Sequence, residues 1–218
     1  MTKGAHPDWK CFGKNFMLWS FIRKLKLKRQ RLKRRPRIMA LESLKQHTPL
    51  RLHLGCGHEH WKGWINVDIS ADSAADIVVD FREIKNYFEQ GTIDEIVMIH
   101  SISYLRLWEA RELLTDLWSI LKKSGRLILE FPDIAKCAEN LIRSEGNIPE
   151  YLEAVRGIYA FGMDQITRRE KFITYAFGWA AWHIKYELEV AGFSAVQIKD
   201  PQTHDQMIWR DTRIEAIK

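Results

Sequence analysis

The sequence predicts an α/β protein built on a mostly parallel sheet. Three observations carry this expectation. From Leu50 onward strand-like runs alternate with helical ones, a turn with two glycines (Gly55-Cys56-Gly57) leaves the first strand, and acids stand at the ends of the next two, Asp68 and Asp80. Such alternation puts helices on the faces of a parallel sheet. Ligands of these sheets sit beyond the carboxyl ends of the strands.

The elements follow in order. Leu50–Leu54 is the first strand, Trp64–Ile69 the second, Asp76–Asp80 the third and Ile93–His100 the fourth. Leu107–Lys122 has helical spacing through Leu107, Ala110, Leu113, Leu114, Leu117 and Leu121. Lys123-Ser124-Gly125 reads as a turn with glycine in a C-cap position. Arg126–Phe131 is a fifth strand, stopped by Pro132. Helical stretches are expected around 133–144 and 149–157, then a polar segment to about residue 172. Ala176–Ala191 is expected to be a helix ended by Gly192, with strands at Ser194–Lys199 and Thr212–Ile217, the last antiparallel. The sheet then has seven strands, and there is no internal repeat.

The length of 218 residues suits one domain with an appendage. Charge divides the chain: residues 1–46 hold 14 Lys and Arg against 2 Asp and Glu, and the remainder 20 against 26. The expected boundaries are a basic, partly helical extension over 1–46 and a main domain over 47–218. Residues 1–14 read as disordered. In residues 15–35, Leu18, Phe21, Ile22, Leu25 and Leu32 fall near one helical face among Lys and Arg. That pattern fits an in-plane helix on an anionic membrane surface; phosphates of a nucleic acid are the competing partner. The aromatics Phe16, Trp19 and Phe21 sit beside the charge block rather than within it, which favours the membrane.

No apolar run approaches the roughly 20 residues that span a bilayer. The densest charge follows the apolar run Phe16–Ile22 instead of preceding it, so no signal peptide is read. The three cysteines, Cys11, Cys56 and Cys137, are too few and too scattered for a disulfide framework or a zinc site. The expectation is a cytoplasmic protein, peripheral on the inner membrane face, with no metal.

Glycine at 55 and 57 permits positive φ and close backbone approach to a ligand. Asp68 is placed to take two hydrogen bonds from a ribose diol. This constellation resembles the class I S-adenosylmethionine (SAM)-dependent methyltransferases, and most of all a small subgroup associated with surface-polysaccharide biosynthesis. The resemblance covers about residues 48–218 and rests on LGCGHEHWKGWINVDI, DIVVDFREI and LKKSGRLILEFPDI. It implies a Rossmann-like fold, with SAM held by Gly55, Gly57 and Asp68 and its adenine beside Asp80. His53, Cys56, Ile69, Phe81 and His100 complete the expected cofactor lining, and S-adenosylhomocysteine is the implied product.

Two departures bear on this. Glu59 stands where the broader family has a third glycine, and ten residues separate Gly57 from Asp68, too few for the usual helical crossover. Many relatives carry a Glu-His pair just after the fourth strand, where this chain has Ser103 and Tyr104. There is also no Asn/Asp-Pro-Pro-aromatic signature there, which in the family accompanies amide or exocyclic-amine acceptors. An oxygen acceptor is therefore expected, on a sugar of a glycan or glycolipid. An RNA methyltransferase and a non-catalytic SAM-fold binding protein are the alternatives.

Histidine is the natural base near neutral pH. The candidates are His100, His183 and His204. Trp179, Trp182, His183 and Tyr186 share a helical spacing that gives either a core stripe or an aromatic wall for a sugar. Asp133 and Arg213 are further substrate candidates, and Glu130 a further acid, all at strand ends.

Overall fold

In the first strand, alternation puts Leu52 and Leu54 into the main core and turns His53 to the opposite face of the sheet. The computed structural model describes residues 45–46, 48–160 and 174–218. The expected features at 1–14 and 15–35, and most of the polar segment before residue 172, lie outside the described residues.

Seven strands form one sheet: β1 (Arg51–Leu54), β2 (Ile65–Asp68), β3 (Ile77–Val78), β4 (Ile93–Ile99), β5 (Leu121–Pro132), β6 (Ser194–Lys199) and β7 (Asp211–Ile217). Their order is β3-β2-β1-β4-β5-β7-β6. β7 runs antiparallel to both neighbours, as expected, and the pairs among the first five strands are parallel. The order reverses between β1 and β4, so the ends of these two strands flank the switch point. Among the described residues four α-helices flank the sheet: α1 (Leu107–Ile120), α2 (Ile134–Arg143), α3 (Ile148–Tyr159) and α4 (Ala181–Val190). α1 buries Ala110, Leu113, Leu114 and Leu117, the apolar face read from the sequence.

The shortened first crossover is real: the β1–β2 connection contains turns and no helix, and so does β2–β3. Trp61 and Trp64 instead pack over Val97, Ile99 and Ile128. Asn66 organises this side. Its Nδ2 donates to the carbonyls of Trp61 (3.1 Å) and Trp64 (3.2 Å) and to Asp76 Oδ2 (2.9 Å). Its Oδ1 accepts from the Trp61 backbone at 2.9 Å. One fully buried amide thus pins both loops that lack helices.

Three boundaries differ from expectation. α1 ends at Ile120, and Ser124 rather than Gly125 adopts the left-handed conformation, at φ 65°. Gly125 is required by crowding, since a Cβ there would lie 2.8 Å from the Lys122 carbonyl oxygen. α4 starts at Ala181 rather than Ala176, because Trp179 is drawn into a bridge with Asp133. No helix among the described residues is long and apolar enough to cross a membrane.

Candidate functional site

At the end of β1 the chain turns sharply. Gly55 (φ 74°) and Cys56 both donate to the Val67 carbonyl, at 2.8 and 3.1 Å. Gly55 lies against Ser101, whose hydroxyl donates to the Leu54 carbonyl at 3.0 Å. Gly57 (φ 55°) differs: nothing lies within 4 Å of where its Cβ would be, so its backbone borders open space. The Gly57 amide donates to Asp68 Oδ2 at 2.9 Å, and the Ser70 amide to Oδ1 at 2.7 Å. A carboxylate has about four lone-pair sites. One on each oxygen of Asp68 therefore remains for a diol. Ile69, 45% exposed, adds an apolar surface beside it. Phe81 Cε1 comes within 3.5 Å of the position of a Gly55 Cβ. Gly55, Gly57, Asp68, Ile69 and Phe81 thus gather around one loop that a nucleoside would fit.

Three other expected cofactor contacts have different surroundings. His53 is buried on the far face, its ring tilted against Trp61 at 4.3 Å, with Nδ1 3.2 Å from Asn66 Oδ1. Burial holds its pKa below the ordinary histidine value. Cys56 is buried, and burial pushes its thiol up to about 12. Asp80 N-caps a short 3₁₀ turn (Phe81–Asn86) through the Arg82 amide. Its carboxylate is also gripped by the Arg82 guanidinium, which reaches on to Glu109 at 2.8 Å. This clamp competes with any direct contact from Asp80 to an adenine.

Beyond β4 and β5 lies a second group. His100 follows β4 with φ 54°, uncommon for a residue with a side chain, and its amide donates to the Glu130 carbonyl at 2.7 Å. Its Nε2 lies 2.8 Å from Asp211 Oδ2, and Asp211 also takes two hydrogen bonds from Arg210, at 2.7 and 2.9 Å. Burial would raise the Asp211 pKa, but the bonds from His100 and Arg210 outweigh it and keep the carboxyl below its ordinary value. An ionised carboxylate only accepts, so Nε2 of His100 carries a hydrogen, and in the neutral ring Nδ1 holds the lone pair. The His204 ring stacks on that of His100 at 4.6 Å and 14°. Its loop hangs from the buried Glu130 carboxylate, which accepts from the amides of Gln202, Thr203 and His204. His100, His204 and Asp211 each bring a potential ligand atom within 4.8 Å of the others. Cysteine counting did not reach them because they come from three distant parts of the chain.

The remaining candidates do other work. His183 is not brought to this group: its Nε2 lies 3.1 Å from Glu187 on the same helix, and Glu187 is held in turn by Arg111. Trp179 is fully buried and packs edge-on against Phe177, so it presents no face to a sugar. Trp182, 71% exposed, does present one. Asp133 caps α2 through the Ala135 amide and also takes bonds from the Ala181 amide and the Thr212 hydroxyl. Arg213 is buried between Glu130 and Glu215. Asp133 and Arg213 thus hold elements together instead of facing a ligand. The sequence reading missed Asp211 as the partner of His100. An Arg-Asp pair opening the last strand was the available signal.

No family model matches the chain, and no curated protein matches it significantly. Solved structures do. A SAM-dependent methyltransferase from Archaeoglobus fulgidus superposes with a TM-score of 0.52 at 17% identity, over 83% of this chain and 93% of that one. One from Methanosarcina mazei gives 0.53 at 14%, over 82% and 96%. A Haemonchus contortus phosphoethanolamine N-methyltransferase, solved with phosphomonomethylethanolamine and S-adenosylhomocysteine, gives 0.50 at 13%, over 83% of this chain and 52% of its own. At these identities the likeness is one of architecture: the chain has the seven-stranded, mostly parallel Rossmann-like fold of the class I SAM-dependent methyltransferases.

Proposed function

We propose that this chain is a SAM-dependent methyltransferase whose acceptor is a hydroxyl oxygen, on a sugar of a glycan or glycolipid. The observation that carries the cofactor assignment is the Gly57–Asp68 pair, an open backbone edge hydrogen-bonded to a carboxylate with lone pairs to spare, at the switch point of the sheet.

Asp68 would hold the ribose diol, with Gly55–Gly57 backbone along the cofactor and Ile69 and Phe81 as apolar contacts. SAM supplies a methyl group on a sulfonium, which an incoming oxygen displaces in line. The chain contributes alignment and a proton acceptor. Asp211 fixes the His100 tautomer and orientation, and His204 stacks on the ring and limits its tilt. With SAM bound, the methyl group would pass to the acceptor oxygen as the carbon–sulfur bond opened, and Nδ1 of His100 would be placed to take that oxygen's proton. Imidazolium on His100 is then stabilised by the Asp211 carboxylate.

A hydroxyl must lose its proton on transfer, which supports the histidine–aspartate pair as machinery for oxygen. The sugar class is supported by the resemblance over residues 48–218 and by the exposed rings of Trp182 and Tyr186. The charge pattern of residues 15–35, within the basic extension 1–46, supports attachment to an anionic membrane.

Calorimetry with SAM tests the cofactor. Binding by the wild type and a loss of at least about tenfold in Asp68→Ala are expected; equal binding by the variant would overturn the assignment. A labelled-SAM screen across oligosaccharides, lipid-linked sugars, RNA and phosphoethanolamine tests the acceptor, and transfer to RNA or an amine alone rejects the sugar. Flotation with anionic liposomes against an RNA gel shift tests residues 15–35.

A further inference from the structure

We propose that His100, His204 and Asp211 form a binding site for a divalent transition-metal ion of the zinc class. This goes beyond the methyl-transfer reading and shares His100 with it.

The geometry is close to what such an ion needs. Zinc bonds to nitrogen and oxygen ligands measure about 2.0–2.2 Å, so neighbouring ligand atoms stand about 3.0–3.5 Å apart. His100 Nε2 and Asp211 Oδ2 already lie at 2.8 Å, and one ligand atom from all three residues falls within 4.8 Å of the others. The widest pair would have to close by at most about 1.5 Å to meet the bond lengths above. His204 sits on a loop between strands, where that movement is easiest. Two imidazoles and one carboxylate suit Zn²⁺, Co²⁺, Fe²⁺ or Mn²⁺ better than Mg²⁺ or Ca²⁺, which prefer all-oxygen shells.

A second observation points the same way. Nδ1 of His204 is buried and has no hydrogen-bond partner. It lies 4.0 Å from Glu130 Oε1. Histidines that bind metal through one nitrogen typically donate the other N–H to a carboxylate. If Nε2 of His204 swings toward an ion, Nδ1–H is left facing the negative Glu130 carboxylate, where it can share an oxygen that already accepts from backbone amides. Glu130 also accepts the His100 amide through its carbonyl, so one residue braces both imidazoles. Arg210 braces Asp211 in the same manner, though its positive charge limits the affinity.

The ion would replace the hydrogen on Nε2 of His100, which moves the remaining hydrogen to Nδ1. Metal binding and proton acceptance by His100 therefore exclude each other. Three protein ligands leave a coordination position open, where a metal-bound acceptor oxygen would lose its proton more easily.

The test is titration of the full-length, chelator-treated protein with CoCl₂, read by visible absorption, and with ZnCl₂ by calorimetry. SAM affinity is measured on the same samples. One equivalent is expected to bind, with losses of at least about 100-fold in His204→Ala and in Asp211→Asn, and about 10–100-fold in Glu130→Gln. His204→Ala alters a partly exposed loop residue, so it tests the site even if a buried variant fails to fold. No stoichiometric uptake by the wild type, or equal uptake by His204→Ala, overturns the metal site. Retained SAM binding in that case leaves the methyltransferase reading standing; lost SAM binding with metal uptake intact removes that reading alone.

Discussion

A Cβ placed on Gly55 would lie 2.5 Å from the Cβ of Ser101. The two strand ends that flank the switch point thus touch through a missing side chain. Gly55→Ala must push β1 and β4 apart at that point and also hold alanine at φ 74°. The left-handed conformation alone costs about 1–2 kcal/mol. Gly55→Ala is expected to lower both thermal stability and SAM affinity. Adding Ser101→Gly should restore part of each, by removing the clash and leaving the backbone cost. No recovery in the double variant would show that the crowding is unimportant.

The two histidine pairs separate by kinetics. His100→Gln and Asp211→Asn should each reduce kcat by about 10²–10⁴-fold, the usual range for a positioned acid or base, with SAM affinity little changed. His183→Gln should leave kcat within about twofold of wild type, since a residue distant from the chemistry supplies none of that factor. Stopped-time assays with labelled SAM on the three variants decide this, and a large kcat defect in His183→Gln would return that residue to the site.

Asn66 makes six hydrogen bonds through its amide group and backbone to Trp61, Trp64 and Asp76. Four of them use the side chain, and buried partners left unpaired cost about 1–3 kcal/mol each. Asn66→Leu is expected to destabilise the fold by about 3 kcal/mol in denaturant melts. Its Tm should fall more than that of the exposed control Ile142→Ala.

Acid should weaken the same region through His53. Its folded pKa is lowered by burial, so protons bind the unfolded chain more readily. The stability contributed by the neutral ring is fully present above about pH 6.5, the unfolded value, and falls as pH drops below it. His53→Gln should flatten the difference in Tm between pH 7.5 and pH 5.5 relative to wild type. An unchanged slope would place the acid sensitivity elsewhere.

The buried thiols give a chemical check. With Cys56 and Cys137 both pushed up to about 12 by burial, almost no thiolate exists at pH 8. Peptide mapping after iodoacetamide treatment should find both unmodified in the folded protein and modified after denaturation.

Much of the fold was legible because periodicity and strand-end chemistry are local. Leu113, Leu114 and Leu117 announce a buried helix face, and ten residues between Gly57 and Asp68 leave no room for a helical crossover. The glycine loop with Asp68 was readable for the same reason. The acceptor side was not. His100 finds Asp211 across β5, and His204 is placed by Glu130; neither pairing leaves a trace in spacing. Trp179 shares helical spacing with Trp182, yet the helix begins after it, because bridging to Asp133 outweighed local propensity. Asp80 stands in register with Asp68 on the page, but an arginine two residues on claims its carboxylate.

His100 and Asp211 are 111 residues apart in the chain. A ribosome adding about 5–20 residues per second delivers the aspartate on the order of ten seconds after the histidine. The glycine loop, Asp68, Ile69 and Phe81 all precede that interval, so the loop that a nucleoside would fit is complete in sequence before His100 and Asp211 can pair. During synthesis the glycine loop and its carboxylate come first and the histidine–aspartate pair comes last.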